Sequence, residues 1–265
     1  MLNTFDLLKQ MIQLLKLEQG SRLVEEALPS TIRERERMWR ELINIRPPVN
    51  VSSEYLSLED TFLTQYHHQY QPIQLAECHI TNHPNIYTYH GDIRHLEVDG
   101  IVNAANSEMI GCFIPNHGCI DNAIHTYAGV RLRLACHHLM TVQGRKEPVG
   151  QAKITKAYHL PASHIIHTVG PSVQPGRKVS AIRQDLLKRC YQSCLDLALK
   201  EGLHSLAFCA ISTGEFAFPK QLAATIAVDT VKQWLRTHDD KINVIFNTFT
   251  QEDKRYYHQL LRKEE

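Results

Sequence analysis

Three potential metal ligands lie close together in one short segment of the sequence. Cys112, His117 and Cys119 follow the pattern Cys-x4-His-x-Cys, which places two thiols and one imidazole within eight positions. Zinc binds sulfur and nitrogen ligands tetrahedrally, and a closed structural site needs four of them. The segment offers no clear fourth ligand, because Cys78 and the two histidines near it are distant in the sequence. Three protein ligands with one open position are typical of catalytic zinc, so the pattern predicts a site of that kind.

The potential ligands lie in a loop between a predicted strand and a predicted helix. Gly100–Ala105 is apolar on both faces, as is typical of a central strand in a covered sheet, and residues 120–135 have helical periodicity. A second loop, at 212–216, follows the predicted strand 205–210. Ligands of α/β sheets bind beyond the carboxyl ends of the strands, where backbone N–H groups attract anions. The two loops therefore predict a diphosphate site, although a sequence such as Ser212-Thr213-Gly214 is also common in ordinary turns.

The rest of the sequence indicates a helical segment followed by an α/β domain. In residues 1–72, apolar residues recur every three or four positions from Phe5 to Leu15, Thr31 with Glu34 has the capping-box spacing, and Pro47 ends a helix. Beyond residue 73 strands and helices alternate, which favours a mixed or mostly parallel sheet with helices on both sides. We therefore expect a helical N-terminal extension over 1–72 and an α/β domain over 73–265. The other predicted strands are 87–90, 152–157, 163–169 and 242–247, and the other predicted helices are 179–201, 219–236 and 252–261.

Composition and charge count against several classes of function. The 265 residues carry a formal net charge of +1, so no overall field attracts nucleic acid or an anionic membrane. No run of about 18 apolar residues is present, and the N-terminus does not have the pattern of a signal peptide. The seven cysteines are scattered and odd in number, which favours free thiols and a reducing cytoplasm. The absence of a Walker A motif and of a G-x-G-x-x-G fingerprint counts against a P-loop nucleotidase and an ordinary dehydrogenase.

Several short motifs follow one another in an order that is specific in combination. They are Gly91-Asp92-Ile93, residues 99–106, Ile124-His125 with Ala128-Gly129, residues 167–171, and residues 211–214 with Phe218-Pro219. Over about 73–247 the chain resembles the macrodomain family, whose members bind ADP-ribose. The resemblance implies a three-layer α/β/α fold with a mixed central sheet. Many macrodomains have a run of glycines where this chain has residues 112–121, and here the chain resembles the zinc-containing branch of the family.

The resemblance also implies roles for individual residues. Asp92 and the backbone of Ile93 would hold the adenine end, and Asn106 would contact the distal ribose. Asp121 matches the residue that orients the distal ribose or its water, so Asp121 and Asn106 are the candidate catalytic residues. One zinc ion per chain would be bound by the three ligands of the Cys-x4-His-x-Cys pattern. The candidate substrate-binding residues are Asp92, Ile93, Asn106, Cys119, Ile120, Asp121, Ser212, Thr213, Gly214, Glu215 and Phe216.

The function that follows is a zinc-dependent hydrolase that removes ADP-ribose from ADP-ribosylated protein side chains by hydrolysis at C1″. Macrodomains of the zinc-containing branch are encoded beside a sirtuin-type ADP-ribosyltransferase and lipoate-related proteins in some bacteria, and the resemblance therefore implies reversal of a sirtuin-type modification. The implied partner is a lipoyl-carrier protein similar to the H protein of glycine cleavage, and neither nucleic acid nor a membrane is expected as a partner. Two alternatives stay open at this point. The domain would be a non-catalytic ADP-ribose-binding module, or it would be an O-acetyl-ADP-ribose deacetylase.

Overall fold

The computed structural model describes residues 3–20, 28–239 and 241–262. Helices and strands alternate through most of these ranges, after three helices at the start. The helices are α1 (Thr4–Glu18), α2 (Ile32–Ile45), α3 (Ser53–His67), α4 (Ile120–Ala128), α5 (Val130–Gln143), α6 (Ala181–Lys200), α7 (Lys220–Thr237) and α8 (Gln251–Leu261). The strands are β1 (Ile73–Gln74), β2 (His79–Ile80), β3 (Ile86–His90), β4 (Leu96–Glu97), β5 (Gly100–Ala105), β6 (Ala152–Lys156), β7 (His164–Val169), β8 (Ser205–Phe208) and β9 (Asn243–Thr248).

The main sheet has seven strands in the order β2-β3-β9-β8-β5-β7-β6. Its five inner strands are parallel, whereas β2 and β6 are antiparallel to their neighbours at the two edges. Strands β1 and β4 form a separate parallel pair. Consecutive residues such as Ile101 and Val102 in β5 are both fully buried, so both faces of the sheet are covered. The predicted α/β fold with a mixed central sheet between helices is confirmed.

Helices α1 to α3 pack on this α/β unit and share its hydrophobic core. The side chains of Leu8, Met11 and Ile12 are fully buried, and the rings of Trp39 and Phe62 lie 5.0 Å apart. Thr31 caps α2, because its Oγ1 accepts from the N–H of Glu34 at 3.2 Å. The Glu34 carboxylate accepts from the Thr31 hydroxyl at 2.7 Å, so only half of the predicted capping box is present at these two residues. The division of the chain at residue 73 stays a prediction. In the described ranges, no helix is both long and apolar enough to cross a membrane.

The prediction of one continuous helix over 120–135 is wrong, because Gly129 separates α4 from α5. Its backbone has φ 93° and ψ 169°, a conformation that is essentially restricted to glycine. A Cβ at this position would lie 2.8 Å from Glu59 Oε2. The same oxygen accepts a hydrogen bond from the N–H of Val130 at 3.0 Å. Glu59 therefore caps the start of α5 from another helix, a contact that the local periodicity does not report.

Candidate functional site

The carboxyl ends of the parallel strands bring the predicted site residues to one edge of the sheet. Asp92 follows β3, Asn106 follows β5 and Ser212 follows β8. Strands β9 and β8 separate β3 from β5, so the ends of β3 and β5 lie three strand spacings apart, roughly 14 Å. The loops after these strands therefore surround one elongated region. We call residues 112–119 the metal loop and residues 212–216 the phosphate loop.

The metal loop brings its three potential ligands together. One ligand atom each of Cys112, His117 and Cys119 lies within 4.8 Å of the other two, and Cys112 Sγ is 3.5 Å from His117 Nδ1. The other imidazole nitrogen, His117 Nε2, lies 3.4 Å from Glu215 Oε1 in the phosphate loop. Two thiols and an imidazole that converge in this way fit a zinc ion, and a carboxylate behind the imidazole is the usual support for such a ligand.

The group contains three ligands of the Cys, His, Asp and Glu types within the ranges that the structure describes. This number agrees with the expected open coordination position, while zinc binding itself stays a prediction. Burial raises the pKa of the Cys119 thiol to about 12, although a hydrogen bond from Asn122 N–H acts in the opposite direction. The protein alone therefore holds Cys119 protonated, and a bound metal has to displace that proton.

Asp121 lies in the first turn of α4, directly after Cys119 and Ile120. Its side chain is buried, and Oδ1 accepts a hydrogen bond from Asn103 Nδ2 at 2.8 Å. Burial raises the pKa of this carboxyl to about 6, partly offset by the Asn103 hydrogen bond and the charge of Arg133. A buried carboxyl with a perturbed pKa, next to potential metal ligands at a strand end, is typical of a functional site.

Asn106 joins the end of β5 to the same carboxylate. Its Nδ2 donates to the carbonyl of Gly111 at 3.1 Å and to Asp121 Oδ2 at 3.4 Å. Its Oδ1 accepts from the N–H of Glu108 at 2.9 Å and closes a turn. The Asn106 amide thus holds the start of the segment that follows β5. It also contacts Asp121 directly, so the two candidate catalytic residues are hydrogen-bonded to each other.

The phosphate loop has backbone N–H groups that the protein does not use. Ser212 has a positive φ of 67° and is buried, and its hydroxyl packs against Gly170, where a Cβ would lie only 2.1 Å from Ser212 Oγ. Thr213 Oγ1 donates to the carbonyl of Ala210 at 2.9 Å. In the described part of the chain, the N–H groups of Gly214, Glu215 and Phe216 have no protein acceptor. Consecutive free N–H groups in a tight turn favour an anion such as a diphosphate.

Asp92 has a strong ionic partner two positions further along the chain. Its carboxylate accepts from Arg94 Nη2 at 2.5 Å and from Arg94 Nε at 3.0 Å. Burial pushes the pKa of Asp92 upwards, but the Arg94 contacts outweigh burial and hold it below its ordinary value. The Arg94 guanidinium in turn lies 4.1 Å from the centre of the Tyr127 ring. Asp92 is therefore ionised and fixed, whereas the side chain of Ile93 is buried in the core and only its backbone can meet a ligand.

A second group of potential metal ligands lies in the core and consists of His125, Cys136 and His167. Asn103 Nδ2 donates to Asp121, which fixes the amide, and the same nitrogen lies 3.1 Å from His167 Nδ1. His167 Nδ1 therefore accepts, and Nε2 carries the hydrogen and donates to Thr155 Oγ1 at 2.9 Å. This tautomer directs the Nε2–H group of His167 towards Cys136 Sγ, 3.7 Å away, so His167 offers the group no lone pair on that side. The two ring nitrogens of His125 are buried and have no hydrogen-bond partner in the described part of the chain.

These features define an α/β domain whose candidate ligand site lies at strand-end loops, one of which carries three potential metal ligands. A family model for the Macro domain matches residues 102–227. A protein named protein-ADP-ribose hydrolase from Staphylococcus aureus strain Mu50 is 46% identical over 237 residues, which cover 89% of this chain and 88% of that protein. A protein of the same name from Treponema medium is 44% identical, covering 88% of this chain and 90% of its own length. The chain therefore belongs to the macrodomain family.

Solved structures support this assignment. An Oceanobacillus iheyensis macrodomain with MES bound has a TM-score of 0.61 and 34% identity, covering 69% of this chain and 93% of its own. A Trypanosoma brucei macrodomain in complex with ADP-ribose has a TM-score of 0.64 and 27% identity, covering 83% of this chain and 94% of its own.

Proposed function

We propose that this protein is a hydrolase that removes ADP-ribose from ADP-ribosylated protein side chains, and that it uses one zinc ion. The observation that carries the proposal is the convergence of Cys112, His117 and Cys119 beside Asp121 at the ligand-binding edge of the sheet. The names of the Staphylococcus aureus and Treponema medium relatives support the same reaction.

The residues at the sheet edge match the parts of ADP-ribose in order. The Asp92 carboxylate accepts the exocyclic amine of adenine, and the free N–H groups of the phosphate loop hold the diphosphate. Asn106 bonds a hydroxyl of the distal ribose, which lies beside the metal loop. The scissile bond at C1″ of that ribose is then close to both Asp121 and the potential metal ligands.

Asp121 and Asn106 orient the reacting groups in this proposal. The Asp121 carboxylate aligns a water or ribose hydroxyl with the C1″ centre, and the contact from Asn106 holds the carboxylate in place. A bound zinc ion supplies Lewis-acid polarisation and lowers the pKa of a coordinated water. Cys112, His117 and Cys119 would hold that ion, and Glu215 would orient the imidazole of His117.

The resemblance to the zinc-containing branch suggests the biological substrate. We propose a sirtuin-type modification on a lipoyl-carrier protein, in the cytoplasm. Comparing the release of ADP-ribose from a modified lipoyl-carrier protein with release from other modified proteins tests this substrate.

A release assay tests the reaction and the metal together. The purified protein is given an ADP-ribosylated substrate protein before metal removal, after removal by a strong chelator, and after zinc is restored. We expect release to stop on chelation and to return with zinc, while the chelated protein stays folded and still binds ADP-ribose. The variant Asp121→Asn should lower the rate by about 100-fold or more and leave zinc affinity unchanged, because it removes the orienting charge alone.

Other outcomes of this assay would contradict parts of the proposal. Release that persists without metal would contradict the zinc requirement and leave Asp121 as the main catalytic group. Binding of ADP-ribose without any release would identify a non-catalytic binding module. Preferential hydrolysis of O-acetyl-ADP-ribose over the modified protein would identify a deacetylase.

A further inference from the structure

Helix α2 contacts the metal loop from outside the matched Macro domain region, which spans residues 102–227. Arg40 Nη2 donates to the carbonyl of His117 at 2.7 Å, so it holds the backbone of a potential ligand residue. The same guanidinium donates to Asn122 Oδ1 through Nη2 at 2.7 Å and through Nε at 3.2 Å. One side chain of α2 therefore connects the metal loop to the first turn of α4.

Asn44, one turn further along α2, holds the neighbouring loop residue. Its Oδ1 accepts from the N–H of Asn116 at 3.0 Å, and its Nδ2 donates to Thr126 Oγ1 at 2.9 Å. Asn116 has a positive φ of 54°, in the left-handed region that few residue types tolerate. The Asn44 side chain is almost fully buried, so its polar atoms depend on these partners. Asn44 thus stabilises a bend that the metal loop needs just before His117.

Two further side chains complete the support of the loop backbone. Asn122 Nδ2 donates to the carbonyl of Ile114 at 3.0 Å. Arg133 Nη2 donates to the carbonyl of Cys112 at 3.4 Å, while its Nη1 donates to three carbonyls at the end of α2. Within the metal loop, the groups bonded by these four side chains are all backbone groups, so the side chains of the three potential ligands stay available.

Three polar positions of α2 share one face of the helix. Glu36, Arg40 and Asn44 are spaced four apart and so lie on one face, and Glu36 accepts from Tyr127 Oη at 2.9 Å. The core-facing positions are different ones, such as Trp39 and Ile43, which are buried. Apolar packing by Trp39 and Ile43 does not account for this polar face, whose partners lie in the metal loop and in α4.

We propose that α2 is a positioning element for the metal loop, with Arg40 and Asn44 as positioning residues. They fix the backbone at Asn116 and His117 before a metal binds, so that the three ligand atoms already converge and less loop ordering accompanies binding. The proposal deepens the function given above and rests on the metal loop being a metal site.

The first test measures metal affinity. Binding of Zn²⁺ alone is followed by competition with a chelating dye, and Co²⁺ alone is followed by its thiolate absorption bands. Arg40→Ala and Asn44→Ala should each weaken Zn²⁺ binding about 10- to 100-fold, the range for residues that support metal ligands, and should change the Co²⁺ spectrum. Arg40→Lys should recover part of the loss, because lysine keeps a donor for the His117 carbonyl but not the fork to Asn122.

The matched control is Arg37→Ala, which removes an exposed arginine from the same helix and the same amount of charge. This variant should bind Zn²⁺ as the wild type does and give an unchanged Co²⁺ spectrum. Equal losses in Arg37→Ala and Arg40→Ala would show that charge alone matters and would overturn the positioning role.

The second test needs no metal. Amide hydrogen exchange of residues 112–122 is compared in the metal-free proteins, with the exchange of β5 as a reference for folding. We expect exchange in this segment to be at least 10-fold faster in Arg40→Ala and Asn44→Ala, with Asn116 most affected, and unchanged in Arg37→Ala. Wild-type exchange in both variants would overturn the proposal. If the wild type bound no Zn²⁺, the zinc-dependent function would fail, while the exchange result would still decide whether α2 orders the loop.

Discussion

At the scale of single residues, the candidate ligand-binding edge depends on close contacts between loops that follow different strands. Gly170, at the end of β7, leaves room for Ser212, whose backbone adopts a positive φ of 67° at the start of the phosphate loop. Such a conformation costs free energy of order 1–3 kcal/mol and persists only where the surroundings enforce it. The close contact between Gly170 and Ser212 therefore fixes the position of the free N–H groups in the phosphate loop.

Gly170→Ala should weaken ADP-ribose binding by about 10-fold or more. The new Cβ would lie 2.1 Å from Ser212 Oγ and 2.8 Å from Ile211 Cγ2, so the phosphate loop has to move. Calorimetric titration with ADP-ribose measures the effect. The double variant Gly170→Ala with Ser212→Ala removes the closest clashing atom and should recover part of the affinity. Affinity equal to that of the wild type in Gly170→Ala would contradict this account.

The sequence was informative about residues whose partners are close in the chain. The Cys-x4-His-x-Cys spacing predicted a cluster, and the three ligand atoms do converge. The contacts of Arg40 and Asn44 were not predictable, because they join positions 72 to 82 residues apart in the sequence. Asn103 gave a weak signal as an amide within an apolar strand, since a buried polar side chain requires a partner.

At the scale of elements, the break between α4 and α5 shows where periodicity was insufficient. Apolar residues continue across Gly129 with helical spacing, so the sequence predicts a single helix. The structure ends α4 there because Glu59 of α3 accepts from the N–H of Val130 and occupies the space that a side chain would need. The order of strands and helices, by contrast, follows from local patterns, and the fold was predictable from them.

Gly129→Ala should lower the free energy of unfolding by about 2–4 kcal/mol. Alanine at φ 93° and ψ 169° is strained, and its Cβ would lie 2.8 Å from Glu59 Oε2. Gly144→Ala is the matched control, because Gly144 ends α5 with φ 69° but a Cβ there would meet nothing within 4 Å. Its loss should be about 1 kcal/mol. Denaturant unfolding measures both, and equal losses would contradict the extra cost assigned to the contact with Glu59.

At the scale of the whole molecule, one continuous core joins the N-terminal helices to the sheet and contains several ionisable groups. Trp39 Nε1 donates to Tyr55 Oη at 2.9 Å, and Tyr55 Oη donates to Glu59 Oε1 at 3.2 Å. Burial raises the pKa of Glu59 from 4.5 to about 7, although the hydrogen bonds from Val130 and Tyr55 oppose the shift. Burial lowers the pKa of His67 to about 4 and that of His167 to about 3. Lowering the pH therefore lowers the free energy of unfolding through the two buried histidines and raises it through Glu59.

The variant Glu59→Gln isolates the carboxyl from the histidines. Below pH 4.5 Glu59 is protonated in both the folded and unfolded states, so the difference in stability from Glu59→Gln is constant there. Between pH 4.5 and about 7 the unfolded chain releases the proton and the folded chain keeps it, so the wild type loses stability as pH rises.

The unfolding free energy of Glu59→Gln relative to the wild type should therefore increase by about 3 kcal/mol between pH 4.5 and pH 7.5. Histidine titration is common to both proteins and cancels in this difference. Denaturant unfolding at the two pH values measures the change, and Glu54→Gln on the exposed side of the same helix is the control. A difference that stays the same at both pH values would mean that the buried carboxyl is ionised in the folded protein. The contact with Val130 would then be a charged cap, strong enough to offset the burial of Glu59.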